Sequence, residues 1–253
     1  MHLNTSQASL LVHRLQERIK IHRDIEVVLA PSMLVLQPLS VQLDRRKFRL
    51  AAQNAYQKDE GAFTGEVSFT MLRDLVHYVI IGHSERRLYF GEDNVMTREK
   101  VAAAVRNGIT PILCVGETKK ERVNGETRRV LHAQITTALS DLTATEIASI
   151  VIAYEPVWAI STFGGELAEP EAIQKDMVYI RKQVEDLYSA RAAQKMRILY
   201  GGSVDDQTAR AYLELDDCNG VLVGGASINY AKFSGIVDAA HKLLREKGGD
   251  EDS

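Results

Sequence analysis

Val151-Ile152-Ala153-Tyr154-Glu155-Pro156-Val157-Trp158-Ala159-Ile160 decides how the rest of the chain is read. The apolar run from Ile150 through Ala153 is a buried strand. It ends in a carboxylate, Glu155. Pro156 stops it, because proline brings no N–H to a strand ladder. Ser161-Thr162-Phe163-Gly164-Gly165 then reads as a loop with two conformationally free positions. A carboxylate at the tip of a parallel strand, followed by a glycine-bearing loop, is the geometry of a catalytic site under a lid in an α/β barrel.

The flanking sequence repeats the pattern. Apolar runs at 25–30, 48–53, 78–82, 109–115, 150–154, 197–200 and 220–223 read as strands. Helical periodicities separate them: an opening helix carrying Leu10, Leu11, Leu15 and Ile19, then segments at 33–43, 67–75, 94–107, 126–139, 171–191, 206–215 and from Tyr230 to about Glu246. Strands that are apolar throughout and alternate with helices make a parallel sheet covered on its outer face. Seven strands are read here, whereas a closed (β/α)8 barrel needs eight. Since the chain starts with a helix, the strand missing from this sequence is expected to be the first. Residues 1–247 are expected to form one domain, with 248–253 a polar tail.

With 253 residues, a net charge of -3 and 45% hydrophobic residues, the chain is long enough for a full core. Mixed, near-neutral charge favours neither nucleic acid nor an anionic membrane surface. No apolar run is long enough to cross a bilayer, and no hydrophobic leader is read at the start. Cys114 and Cys218 lie far apart without metal spacing, so reduced thiols in a cytoplasmic protein are expected, and neither a metal nor a cofactor. Asn4-Thr5-Ser6 matches a glycosylation triplet and is read as chance. Asp44-Arg45-Arg46-Lys47 and Lys119-Lys120-Glu121-Arg122 read as solvated helix faces.

Chemistry concentrates after the strands. Gly201-Gly202-Ser203 and Gly224-Gly225-Ala226-Ser227 follow the last two. Paired glycines let backbone N–H groups approach an anion, and barrels bind phosphate at this place. One pair alone would favour a tight strand-to-helix turn; two pairs after consecutive terminal strands favour phosphate. His83 follows a buried strand and precedes Ser84-Glu85, on the same strand-tip face as Glu155. It could be a structural histidine. Beside a carboxylate and an anchored phosphate it suits proton transfer next to a carbonyl. Tyr154 and Trp158 read as packing around the lid hinge, and Cys114 as a buried core thiol.

Ala52-Gln53-Asn54, Gly61-Ala62-Phe63-Thr64-Gly65-Glu66, Ile80-Ile81-Gly82-His83-Ser84-Glu85-Arg86-Arg87, Cys114-Val115-Gly116-Glu117-Thr118, Tyr154-Glu155-Pro156-Val157-Trp158-Ala159-Ile160, Tyr200-Gly201-Gly202-Ser203-Val204 and Leu222-Val223-Gly224-Gly225-Ala226-Ser227 together resemble the triosephosphate isomerases. The likeness spans nearly the whole chain. It implies a TIM barrel and the interconversion of dihydroxyacetone phosphate and D-glyceraldehyde 3-phosphate, a step of glycolysis and gluconeogenesis, through an enediolate. By resemblance, Glu155 is the base and His83 a neutral electrophile, the family's use of these groups being a standard illustration of tuned acid–base chemistry. Ser84 and Glu85 are implied in support. Ser161, Ser203, Gly224 and Gly225 are implied at the phosphate. The 61–66 loop, with Phe63 and Thr64, is implied to insert into a second subunit of a homodimer.

Two departures accompany the likeness. The family's first strand ends in Asn-x-Lys, and this sequence begins at Met1-His2-Leu3-Asn4, just after that lysine's place. The strand, its asparagine and the lysine's electrostatic stabilisation are therefore expected to be missing. The lid, usually Ala-Ile-Gly-Thr-Gly-Lys-x-Ala-x-Pro, is longer here, with Ser161 at a glycine position and Glu166 near a lysine position. A non-catalytic binder of phosphate ligands or of a partner, and an isomerase of another sugar phosphate, remain open alternatives on the sequence.

Overall fold

Parallel strands need crossover connections, and the amphipathic segments supply them as helices. The computed structural model describes residues 1–20 and 24–249. The strands are β1 (Val27–Leu29), β2 (Phe48–Ala52), β3 (Tyr78–Ile81), β4 (Thr110–Val115), β5 (Val151–Tyr154), β6 (Arg197–Tyr200) and β7 (Gly220–Val221). The longer helices are α1 (Thr5–Arg18), α2 (Met33–Gln42), α5 (Asn94–Arg106), α7 (Thr127–Leu139), α9 (Pro170–Leu187) and α12 (Tyr230–Gly249). Shorter ones are α3 (Phe69–Leu72), α4 (Ser84–Phe90), α6 (Lys119–Val123), α8 (Ala144–Ile147), α10 (Ala190–Lys195) and α11 (Ala209–Leu213).

Every strand pairs in parallel with its sequence neighbour, in the order β1 to β7. This is the TIM-barrel plan with seven strands. Among the described residues no pairing joins β7 to β1. The helical layer is nevertheless continuous there, because α1 packs on both α2 and α12. The Arg18 guanidinium donates to Asp238 at 2.7 Å, and Gln42 donates to the Ser9 carbonyl at 2.9 Å.

The period of two along each strand divides the apolar residues between two cores. Ile152 and Tyr154 face the helices, in a core shared with Val79, Ile81, Leu113, Val115, Ile198 and Tyr200. Val151 and Ala153 face the concave side, with Tyr78, Ile80, Ile112 and Cys114. The same alternation turns Glu155, two residues beyond Ala153, toward the concave side. At the opposite end of the strands, Arg197 donates to Glu26 at 2.8 Å and to the Tyr78 hydroxyl at 2.9 Å, bridging β6 to the start of β1.

Some local readings change. The 171–191 helix breaks at Tyr188, where φ is -130° and ψ -76°, and Ser189 caps the separate helix α10 by accepting from the Ala192 N–H at 3.2 Å. Asp44–Lys47 is a turn, not a helix face, because the Asp44 carboxylate accepts the Arg46 N–H at 3.0 Å and so competes with helix formation. Lys119–Val123 is helical, but Arg122 turns inward to Glu117 and Asp176. Of the expected polar tail, residues 250–253 lie outside the described residues. Among the described residues no helix is long and apolar enough to cross a membrane, and no cluster of three or more His, Cys, Asp or Glu could hold a metal.

Candidate active site at the strand tips

Glu155 extends β5 by one rung: its N–H donates to the Val115 carbonyl at 2.7 Å. The rung is crowded. A Cβ on Gly116 would stand 1.8 Å from the Glu155 carbonyl oxygen, and one on Gly201 2.7 Å from the Glu155 Cγ. The Gln134 amide clasps Gly116 on both sides, accepting from its N–H at 2.8 Å and donating to its carbonyl at 3.0 Å. Glycine on either side therefore fixes where the carboxylate leaves the sheet.

On β3, the chain turns at Gly82 in a left-handed conformation, φ +73°, and delivers His83 as the N-cap of α4. The Glu85 N–H donates to His83 Nδ1 at 3.3 Å. With Nδ1 engaged there, the ring presents its other nitrogen, Nε2, to β5. That nitrogen lies 3.2 Å from Glu155 Oε1. The other carboxylate oxygen accepts the Ser84 N–H at 3.2 Å, at the start of α4. Glu155 is only 2% exposed. Burial pushes its carboxyl above the ordinary carboxylate range, against the opposing pull of His83, the Ser84 N–H and the Cys114 thiol. Cys114 is itself buried, and burial beside Glu155 drives its thiol pKa well up, which makes it a packing partner rather than a nucleophile.

The His83 imidazole and a buried carboxylate of raised pKa thus face each other across 3.2 Å at the tips of β3 and β5. A model of the family described as triosephosphate isomerase matches residues 1–240. The chain belongs to the triosephosphate isomerase family. Relatives bearing that name include proteins of Trichlorobacter lovleyi, 41% identical over 233 residues and 92% of each chain; Chloroherpeton thalassium, 44% over 216 residues and 85% of each; and Carboxydothermus hydrogenoformans, 41% over 238 residues and 94% of each.

The two glycine pairs that the sequence pattern suggested for a phosphate prove unlike each other. A Cβ on Gly202 would meet the Tyr200 hydroxyl at 2.2 Å, so Gly201 and Gly202 are glycine for packing against Tyr200 and Glu155. The Ser203 N–H is spent on the Ala159 carbonyl at 3.0 Å, and its Oγ lies 2.8 Å from Ser161 Oγ. Around Gly224 and Gly225 a Cβ would meet nothing within 4 Å. They open a 3-10 turn, Gly225–Ile228, with their N–H groups free of hydrogen bonds among the described residues.

Glu85 does not touch Glu155. Its carboxylate accepts from the lid's Thr162 hydroxyl at 3.3 Å. The lid also stacks Phe163 on Tyr89 of α4, ring centroids 6.1 Å apart, and pairs Glu166 with Lys119 of α6. Between these contacts Gly164 and Gly165 take φ values of +138° and +63°. In the 61–66 loop, Phe63 packs on Tyr56 with centroids 4.6 Å apart while remaining 40% exposed, and Thr64 is exposed.

Sequence reasoning assigned no role to Glu117, which is fully buried at the tip of β4. It accepts from the Trp158 indole at 2.9 Å and from the Tyr154 hydroxyl at 3.1 Å, with Arg122 at 3.2 Å. Burial raises its carboxyl pKa against those donors. The network anchors the start of the lid. Its signal was present: Glu117 stands after its strand as Glu155 stands after its own. Glu92 was also missed. Buried with Lys100, it accepts from Arg86 at 2.8 Å and from the Gly82 N–H at 2.9 Å, and so holds the turn that presents His83. Burial opposes the Glu92 charge, but Lys100 and Arg86 keep its carboxyl below the usual range.

Proposed function

We propose that this chain carries out its family's reaction, the interconversion of dihydroxyacetone phosphate and D-glyceraldehyde 3-phosphate, with Glu155 as base and His83 as hydrogen-bond donor. The observation that carries the assignment is the 3.2 Å contact between Glu155 Oε1 and His83 Nε2. A substrate carbonyl oxygen replacing Glu155 at that nitrogen accepts the same N–H, and frees the carboxylate to face the adjacent carbon. Glu155 takes the C1 proton of the ketose, and the C–H electron pair becomes the enediolate double bond as charge moves onto the carbonyl oxygen. His83 stabilises that oxygen. Return of the proton at C2, with transfer of a hydroxyl proton between the two oxygens, gives the aldose. A buried carboxylate whose pKa is raised is a stronger base than an exposed one.

The open N–H groups at Gly224 and Gly225 suit the phosphate, with Ser161 and Ser203 at the lid side. Ser84 positions Glu155 through its N–H, and Glu85 meets the lid. We infer a homodimer in a cytoplasmic protein, with the exposed Phe63–Thr64 loop reaching the second subunit. Steady-state turnover of glyceraldehyde 3-phosphate tests the assignment. Glu155→Gln is expected to lower kcat roughly 10²- to 10⁴-fold, and His83→Asn to lower it with Glu155 intact. A Glu155→Gln protein that kept the parent's kcat would rule out the assignment.

A further inference from the structure

We propose that the groove between α8 and α10 is a ligand site separate from the strand tips, and that it takes a short organic dianion such as a four-carbon dicarboxylate. The inference does not depend on the isomerase reading. α8 leads directly into β5 and α10 into β6, so the groove opens at the N-terminal ends of the strands, opposite Glu155 and His83. It exists because α9 breaks at Tyr188. The Tyr188 hydroxyl donates to the Leu139 carbonyl, and Ser189 then starts α10 as a separate helix packed on α8. The cavity between them holds about 350 Å³, within the ordinary range for small-molecule sites. Ala148 and Ala192 are small enough to leave that space, and Thr145, Ser189, Arg191 and Lys195 bring polar groups to it. Among the described residues no carboxylate lines it.

Arg191 and Lys195 stand four residues apart on one face of α10, both exposed. Like charges in that arrangement repel each other. Elsewhere the fold compensates such cations. Lys182 on α9 lies 3.3 Å from Glu185 and 3.0 Å from Asp186, and Arg210 on α11 pairs with Glu214 at 2.7 Å and with Glu246 at 2.6 Å. Arg191 and Lys195 have no ion pair among the described residues, in a chain where acidic residues outnumber basic ones by 34 to 31. The acids flanking α8 are engaged elsewhere. Glu146 closes a capping box on Thr143 at 2.7 Å, and Asp141 lies 3.3 Å from Arg98. The Ser189 hydroxyl oxygen accepts the Ala192 N–H at 3.2 Å, which leaves its own proton to donate into the groove. Two uncompensated cations and two hydroxyls call for an anion. The helical turn between the cations, about 5–6 Å from Cβ to Cβ, sets the separation of its two anionic ends. The alanines give its apolar spacer a place to lie.

Titration of isotope-labelled protein with succinate, followed by NMR, tests the site. Saturating shifts are expected at residues 144–148 and 189–195, with His83, Gly224 and Gly225 unmoved. Propionate, which has one anionic end, is expected to bind about ten-fold more weakly at equal ionic strength, as are succinate with Arg191→Gln and succinate with Lys195→Gln, each losing one charge-assisted hydrogen bond. Ala148→Leu keeps both charges and fills the floor, and is expected to abolish saturation. The exposed Arg191→Gln and Lys195→Gln keep the test decisive should Ala148→Leu fail to fold. Shifts that stay linear with succinate would overturn the proposal. So would equal affinity for propionate, or parent-like affinity in folded Ala148→Leu or in Arg191→Gln, since the two cations would then be no more than a solvated helix face.

Discussion

β4 runs six residues at the centre of the sheet, whereas β1 and β7 at its ends run three and two. Every residue of β3 and β5 is buried, while β7 has none buried and β1 only Val27. The proposed catalytic pair stands on the first region, and the open glycines proposed for the phosphate follow the second. The difference tracks what each group needs. A base and a donor must meet within a hydrogen bond's tolerance, and crowding by Gly116 and Gly201 supplies that. An anion held by backbone N–H groups needs open space, and Gly224 and Gly225 provide it.

Substituting the glycines should break this contrast most visibly. Gly116→Ala puts a Cβ into the Glu155 carbonyl and is expected to destabilise the fold by about 3 kcal/mol or more, measured by denaturant unfolding. Gly225→Ala, in open space, is expected to leave stability within about 0.5 kcal/mol while raising KM. Equal destabilisation at both positions would erase the distinction between a crowded centre and an open end.

Between these extremes lies the burial of Glu155. Its folded pKa is raised, so the folded state holds a proton that the unfolded state has already released as pH rises past the ordinary carboxylate range. Stability from this group is therefore lost as pH rises through that window, and the penalty is fully present above the folded pKa. Glu155→Gln is expected to raise Tm at pH 7, with the gain shrinking toward pH 4. A gain that grew in acid would contradict the sign. The Glu155 carboxylate would then be stabilising the fold rather than being held against its own solvation.

How much of this could be read from sequence varied with distance along the chain. Glu155 and His83 were legible because each directly follows an apolar strand run, and the period of two aims Glu155 inward. The seven parallel strands were legible for the same reason. Gly201 and Gly202 looked like an anion loop because a pair of glycines does not say whether their empty space is occupied; Tyr200 and Glu155 occupy it. The helix break at Tyr188 was masked by unbroken helical periodicity, and only the cap at Ser189 marks it. The groove between α8 and α10 was invisible for the same reason, since that break makes it.

Isomerisation of dihydroxyacetone phosphate in D2O tests the central claim most directly. If Glu155 carries the proton between adjacent carbons and exchanges it with solvent, the aldose acquires deuterium at C2, and the ketose left behind acquires it at C1. Both labels disappear with turnover in Glu155→Gln. Deuterium incorporation that persisted undiminished in Glu155→Gln would contradict the account, since some other group would then be the base.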